Sequence, residues 1–539
     1  MITCFCCLKT ILEFIQGSLF CSVQTKNLPL NSYSQLTKKQ TGILLISILV
    51  VALCGIAYQL IISTVSSYLL GNSVYQFSMT IGFFMFSMGV GSYLSKLLNE
   101  NLIQNFIAVE MAIALVGGVC SLLLLMAFPM IRALYDATMY SLIFIIGALV
   151  GMEIPIIMAI FAEKEKSARD SIADIMSLDY IGALIGSVSF PLFLLPQLGL
   201  IRSSFAIGLI TILTALTNIY FFKSYLKSPR LMTFISLMIL ALLTSFTIFG
   251  TQLTSFAEKH LYFDQIIYKK QTKYQKIVVT KSIVNNEHRL YIDGHIQFSS
   301  RDEYRYHESL VHPLLSIAGN KSRVLVLGGG DGLAVREILK HDDVKEIHLV
   351  DIDPEMTLIS KELNVLATLN EHSLEHPKLT IFNQDAFTFI NQAGVLYDRV
   401  IIDMPDPHNE AINKLYSKEF YTMIRKRMSP EGILVSQSSS PFFTRQTFWC
   451  IQETLNAVFE DTQSYHVNIP SFGDWGFNLA RLNSTIPTNY TFDIETHFLD
   501  SPTMKAALIF GKDIQKTDVP VNTIMEPRLY QLYLDDLKV

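Results

Sequence analysis

The chain has 539 residues, half of them hydrophobic and only 17% charged, with a formal net charge of −5 and a mean hydropathy of +0.36. That length exceeds one ordinary domain, and the charged fraction falls below the ~25% of soluble globular proteins, so part of the chain is unusually apolar. The acidic balance leaves no basic footprint, so no nucleic-acid partner is expected.

Residues 1–41 form a mixed N-terminal segment with Lys9 inside a weakly apolar stretch and no Ala-x-Ala cleavage pattern, so no signal peptide is expected. Cys4 and Cys7 have metal-ligand spacing, but no second pair and no nearby histidine completes a site, and no metal is expected. The seven cysteines of the chain require no oxidising compartment.

Residues 42–250 consist largely of apolar runs near 42–62, 74–95, 104–128, 137–161, 177–197, 203–222 and 231–250. Each has the length of a bilayer-crossing helix, ~20 residues. They predict an all-α polytopic bundle of about seven helices in the cell (inner) membrane, with the lipid bilayer as partner. Gly147 with Gly151, and Gly182 with Gly186, have the spacing that lets helices approach closely in lipid. Glu110 and Glu153 fall inside predicted spans. Intramembrane carboxyls are costly and often functional; the plainer reading is a hydrogen-bonded carboxyl between helices, the sharper one transport of a cation. Lys96, then Lys164, Lys166 and Arg169, then Lys223, Lys227 and Arg230 occupy alternate loops, against Arg132 and Arg202 opposite. The positive-inside rule places the richer set in the cytoplasm, and seven spans would then put the C-terminal region outside.

Past residue 258 charge becomes frequent and long apolar runs end. Residues 258–318 predict a small β-rich subdomain, with strands within 265–300. Residues 319–539 predict an α/β Rossmann-like domain with a C-terminal tail. Arg323–Leu327 reads as a buried parallel strand running into Gly328, Gly329, Gly330, Asp331 and Gly332, with a helix over Leu333–Leu339. Further strands are expected over Glu346–Val350, Leu379–Phe382, Arg399–Ile402 and Gly432–Ser436. They lead into Asp351, Asp385 with Ala386, Asp403 and Gln437. Those residues fall at strand C-terminal ends, the binding edge of an open α/β sheet. Asp351 lies where an acid can hold ribose hydroxyls; its alternative role, and that of Asp385, is a helix cap. Asp331 inside the glycine loop would repel a pyrophosphate and attract a cation. That charge sign favours decarboxylated S-adenosylmethionine, which keeps the sulfonium and amine but lacks the carboxylate.

Over about residues 262–480 the sequence resembles the spermidine synthase (polyamine aminopropyltransferase) family. The resemblance is carried by Tyr274 with Gln275, Leu290–Gly294 followed by Gln297, and Asp302-Glu303 followed by Tyr306-His307-Glu308. His312-Pro313, Gly328–Gly332 and the loop Asp403-Met-Pro-Asp406-Pro407 complete it. It implies Asp403 as proton acceptor, and His307, Asp331, Asp403 and Asp406 as polyamine ligands. Gln275, Gly328, Gly330, Asp351, Asp385 and Ala386 would hold the methylthioadenosine portion. It further implies putrescine and decarboxylated S-adenosylmethionine as substrates, no cofactor, and a homo-oligomer, dimer or tetramer. Soluble members continue the loop as Asp-Pro-x-Gly-Pro, whereas this chain has Asp406-Pro-His-Asn-Glu410, and Asp351 stands where Glu is usual. Ser438–Phe443, Pro470–Phe477 and the multi-span region resemble the membrane-fused branch. A nucleoside cosubstrate made inside cells calls for a cytoplasmic catalytic domain; either the span count is off by one, as an extra crossing within residues 4–23 would make it, or the charge bias misleads.

In such a reaction a neutral amine attacks the propyl carbon beside the sulfonium. The amine, with a pKa near ~10.4, must first lose a proton. Asp403 beside Asp406 is expected to have a raised pKa through desolvation and like charge; the alternative for this pair is an Asx turn before Pro407. Trp475 and Phe477 are either a groove for methylenes or core aromatics. Two other functions share these features: an S-adenosylmethionine-dependent methyltransferase, and a polyamine transporter or sensor whose synthase-like domain only binds.

Overall fold

The computed structural model describes residues 36–70, 73–98, 100–130, 135–162, 168–250, 262 and 264–537. The proposed N-terminal crossing and Cys4, Cys6, Cys7 and Cys21 lie outside them. The first half is helical: α1 Lys38–Leu70, α2 Ser73–Leu94, α3 Leu102–Met130, α4 Tyr135–Ala162, α5 Ala168–Ser189, α6 Leu195–Phe221 and α7 Pro229–Ile248.

By length and hydropathy six stretches among the described residues are able to cross a membrane, the fifth running 50 residues from Ile172 to Phe221. That stretch is not one rod. A π-helical turn over Phe190–Leu194 leads to Gly199, whose φ of 71° and ψ of −178° break the helix. Glycine reaches that φ without a Cβ clash. The close approaches show the chain reversing there. Gly182 abuts Leu49 and Gly186 abuts Leu53, so α5 runs parallel to α1. On α6, Phe221 lies beside Gln40 and Ile207 beside Cys54, so α6 runs antiparallel. The described residues therefore traverse the bundle seven times.

Glycines make that packing possible. A Cβ on Gly151 would sit 2.1 Å from the Met88 carbonyl oxygen, and one on Gly182 2.2 Å from that of Leu49. Backbones thus touch directly, with no side chain between them. Glu110 is fully buried and takes both Asn218 Nδ2 contacts, at 2.9 and 3.0 Å, while Asn218 also donates to Ser47.

The second half holds two sheets. β1 Gln265–Gln271, β2 Lys276–Lys281, β3 His288–Ile292 and β4 His295–Ser299 form an antiparallel meander. The second sheet comprises β5 Arg323–Gly328, β6 Glu346–Asp351, β7 Leu379–Asn383, β8 Tyr397–Asp403, β9 Met428–Gln437, β10 Asp461–Ile469 and β11 Gly473–Arg481. Its order is β10-β11-β9-β8-β5-β6-β7, parallel from β9 to β7 and antiparallel at β11 and β10. β5 and β8 are buried along nearly their whole length, as strands covered on both faces must be.

Sequence reading did not anticipate β10 and β11. Their period-2 signals are short, Tyr465, Val467 and Ile469 on β10 and Trp475, Phe477 and Leu479 on β11, with polar residues or glycine between them.

The strand order turns back at β5, with β6 on one side of it and β8 on the other, which makes their carboxyl ends a switch point where ligands bind. Register places Gly328 opposite Asp403, and Asp351 opposite Asn383. The acids expected at strand ends therefore share one edge. α8 Glu303–Ser316 crosses that edge, α9 Leu333–Leu339 follows the glycine loop, and α10 Pro354–Glu362 and α11 Ala386–Gln392 follow β6 and β7.

Candidate active site

A cavity of about 630 Å³ opens at the switch point. Every residue proposed from sequence for the site lines it: Gln275, His307, Gly328, Gly330, Asp331, Asp351, Asp385, Ala386, Asp403 and Asp406.

The glycine loop lets its backbone press against the strand-end acids. Gly328 has φ +86°, and a Cβ there would lie 2.0 Å from the Asp403 carbonyl oxygen. A Cβ on Gly330 would lie 2.4 Å from Asp351 Oδ2. The Gly330 N–H instead donates to that oxygen at 3.0 Å, and the Asp353 N–H to Asp351 Oδ1 at 2.8 Å. The cap of α10 is Asp353, which accepts from the Glu355 N–H at 3.1 Å. Asp351 is thus left facing the cavity rather than capping. Asp385 does cap α11, accepting from the Thr388 N–H at 3.1 Å, and also pairs with Lys414 at 3.2 Å.

Asp403 ends β8 and accepts a 2.6 Å hydrogen bond from the Tyr306 hydroxyl. Burial pushes it up to about 6; the Asp331 charge adds to this, while His307 and the Tyr306 hydrogen bond oppose it. Asp331 is likewise raised by burial, against His307 and the Leu333 N–H, which donates at 2.9 Å. Burial also raises Asp406 to about 6, against nearby Ser439, Gln437 and Tyr533. Asp406 Oδ1 is buried without a hydrogen-bond partner. Such an orphaned acceptor is costly, and an ammonium group would satisfy it.

His307 carries the balancing positive charge. Burial works to lower its pKa, but the 2.8 Å contact between Nδ1 and Glu303 Oε2, together with the charges of Glu303, Asp331 and Asp403, pushes it to about 9. Glu303 is clamped by Arg336, whose two terminal nitrogens donate at 2.8 and 3.0 Å. Arg336 Nε donates to Glu337, which meets His312 at 2.9 Å. This buried chain of charges behind His307 was not legible in sequence, because Glu303 and Arg336 are 33 residues apart and only the fold joins them.

The remaining acids of the motif are anchors. Asp302 accepts from the Ser471 N–H at 2.7 Å and its hydroxyl at 2.8 Å, fixing the loop that carries Phe472. Glu308 accepts from the N–H groups of His497, Phe498 and Leu499 at 2.7, 2.9 and 2.9 Å. Tyr416 donates to the Met404 and Pro405 carbonyls at 3.2 and 3.0 Å, and Gln437 donates to the Met404 carbonyl at 2.5 Å, so the 403–406 loop is held from beneath. Of the two aromatics, Trp475 lines the cavity beside Phe472, 5.2 Å between ring centroids. Phe477 is fully buried in the core against Tyr465.

Residues 303–491 match the spermine/spermidine synthase domain family. The chain is 42% identical over 490 residues to a polyamine aminopropyltransferase of Leptospira interrogans, covering 91% of this chain and 97% of that one. It is 40% identical over 510 residues to polyamine aminopropyltransferase 1 of Streptomyces coelicolor, covering 93% and 95%. Both matches are longer than the catalytic half, so they extend into the helical bundle. A solved spermidine synthase in complex with the transition state analogue AdoDATO aligns with 23% identity and a TM-score of 0.42, over 46% of this chain and 86% of that one.

Proposed function

The chain belongs to the polyamine aminopropyltransferase family, and from that premise we propose that it transfers the aminopropyl group of decarboxylated S-adenosylmethionine to putrescine, giving spermidine and 5′-methylthioadenosine. The family uses decarboxylated S-adenosylmethionine as cosubstrate, with no metal or other cofactor. Among the described residues no group of three or more His, Cys, Asp or Glu is placed to hold a metal ion.

The observation that carries this reading is the convergence of Asp331, Asp403 and Asp406 on one cavity, with Asp406 Oδ1 unpartnered. A dicationic acceptor and a cationic donor need such a surface; a carboxylate-bearing donor would be repelled by it. Asp351 and Asp385 with Ala386 hold the nucleoside, and Gln275 closes over it. Asp406, Asp331 and His307 align the diamine. Asp403 takes the proton from the attacking nitrogen, so its raised pKa brings it closer to the amine it must deprotonate. The nitrogen forms its bond to the propyl carbon as the carbon–sulfur bond breaks, and methylthioadenosine leaves as a neutral thioether. Positioning supplies much of the rate.

The helical half is proposed to anchor the enzyme in the cell membrane with the catalytic domain in the cytoplasm. Seven traverses among the described residues support a catalytic domain on the face opposite the segments bearing Lys96, Lys223, Lys227 and Arg230. An added crossing before Lys38 would move only the N-terminus, so of the two alternatives expected from sequence the misleading charge bias is the one this reading takes. The basic segments then face outward, against the usual bias. A C-terminal alkaline phosphatase or fluorescent-protein fusion reads the side directly.

Single-turnover assays test the chemistry. Asp403→Asn should nearly abolish methylthioadenosine release while leaving methylthioadenosine binding largely intact; near-normal turnover would overturn the assignment.

A further inference from the structure

We infer that the membrane bundle completes the catalytic pocket, with Tyr68 at the end of α1 acting as a positioning residue for the pocket lip. This rests on the active-site reading above. α1 has 33 residues, about 50 Å of helix at 1.5 Å per residue, against a hydrocarbon core of ~30 Å. Its last turns therefore project beyond the bilayer toward the catalytic half.

Tyr68 touches both sides of the lip. Its ring lies 5.1 Å from the Lys276 ammonium, at the start of β2. Its hydroxyl is close enough to Gly294, in the β3–β4 turn, that a Cβ there would lie 3.8 Å away. That hydroxyl also shares a 3.1 Å hydrogen bond with Tyr262, whose ring packs 5.0 Å from Tyr291 on β3. Lys276 and Asp293 are themselves laced together: the Lys276 N–H donates to Asp293 Oδ1 at 2.8 Å, and the Asp293 N–H to the Lys276 carbonyl at 2.9 Å.

The neighbours of these contact points line the cavity. Gln275 precedes Lys276, and His295 follows Gly294. The His295 ring stacks on His408, 4.9 Å between centroids and 27° between planes. The His408 N–H donates to the Asp406 carbonyl at 2.6 Å. Contact thus runs unbroken from a bundle helix through the lip to the loop that carries Asp403 and Asp406. Cation–π contacts of this kind strengthen when partly desolvated, as beside half-buried Tyr68.

The test uses the full chain in lipid nanodiscs. Tyr68→Ala should raise KM for decarboxylated S-adenosylmethionine about 5- to 10-fold while kcat stays within about twofold. Tyr68→Phe, which keeps the ring under Lys276, should restore most of the wild-type KM. Lys276→Met removes the same contact from the other side, and the double variant with Tyr68→Ala should be no worse than the worse single one. Tyr93→Ala, at a 58% exposed position on α2, should change neither constant. An unchanged KM in Tyr68→Ala, or fully additive losses in the double variant, would overturn the inference while leaving the aminopropyl-transfer reading intact. Absence of methylthioadenosine from the wild-type chain would instead sink that reading.

Discussion

The Tyr306 hydroxyl donates a 2.6 Å hydrogen bond to Oδ1 of Asp403, so the base proposed for the reaction enters the site already oriented. The bond favours the charged carboxylate and holds its pKa below what burial and Asp331 would impose. Tyr306→Phe should therefore lower kcat about tenfold, the loss of one charge-assisted hydrogen bond. It should also move the acid limb of kcat/KM to higher pH. A pH–rate profile of the variant checks both.

With Asp403 near 6, activity should fall as pH drops through about 6, because the protonated carboxyl cannot accept the amine's proton. His307, protonated up to about 9, pulls the Asp403 pKa down. His307→Gln should consequently shift that limb upward, and the same profile measures it. An unmoved limb would mean that the two groups are not coupled in the working enzyme.

Asp406→Asn should trade binding for stability. The folded pKa of Asp406, about 6, lies above the unfolded ~3.9. Its contribution to stability is fully present below about pH 4 and is lost as pH rises through about 6. The uncharged variant should thus be more stable than wild type at pH 7.5, by ~3 kcal/mol, with the gain fading toward pH 4. KM for the diamine should rise at the same time. Thermal unfolding at both pH values and steady-state kinetics check the two halves of the prediction.

Glu308→Gln should destabilise the catalytic half without touching the cavity. Glu308 is fully buried and accepts three backbone N–H groups from residues 497–499. An amide has one acceptor oxygen, so at least one buried donor is stranded, at about 2–4 kcal/mol. Denaturant unfolding of the full chain in detergent measures the loss.

Much of the site was legible because its acids stand at the ends of short apolar strands: Asp351 after Glu346–Val350, Asp403 after Arg399–Ile402. Strand periodicity alone predicts that edge. What sequence could not show was which acids have structural duties. Asp353, two residues from Asp351, is the actual helix cap, while Asp385 is both a cap and an ion-pair partner. Glu303 and Arg336, or Tyr68 and Lys276, meet only because distant elements pack together. The break at Gly199 was legible as a gap between apolar runs; the reversal of direction there follows from the contacts of Gly182, Gly186 and Ile207 with α1.

The most direct test of the central claim is mass spectrometry of products from the purified full chain given decarboxylated S-adenosylmethionine, S-adenosylmethionine and an equimolar mixture of isotope-labelled putrescine with unlabelled cadaverine, agmatine and spermidine. Methylthioadenosine and newly formed, labelled spermidine are expected in equal amounts, with both absent in Asp403→Asn. S-adenosylhomocysteine formed from S-adenosylmethionine, or binding of the diamine with no product at all, would contradict it.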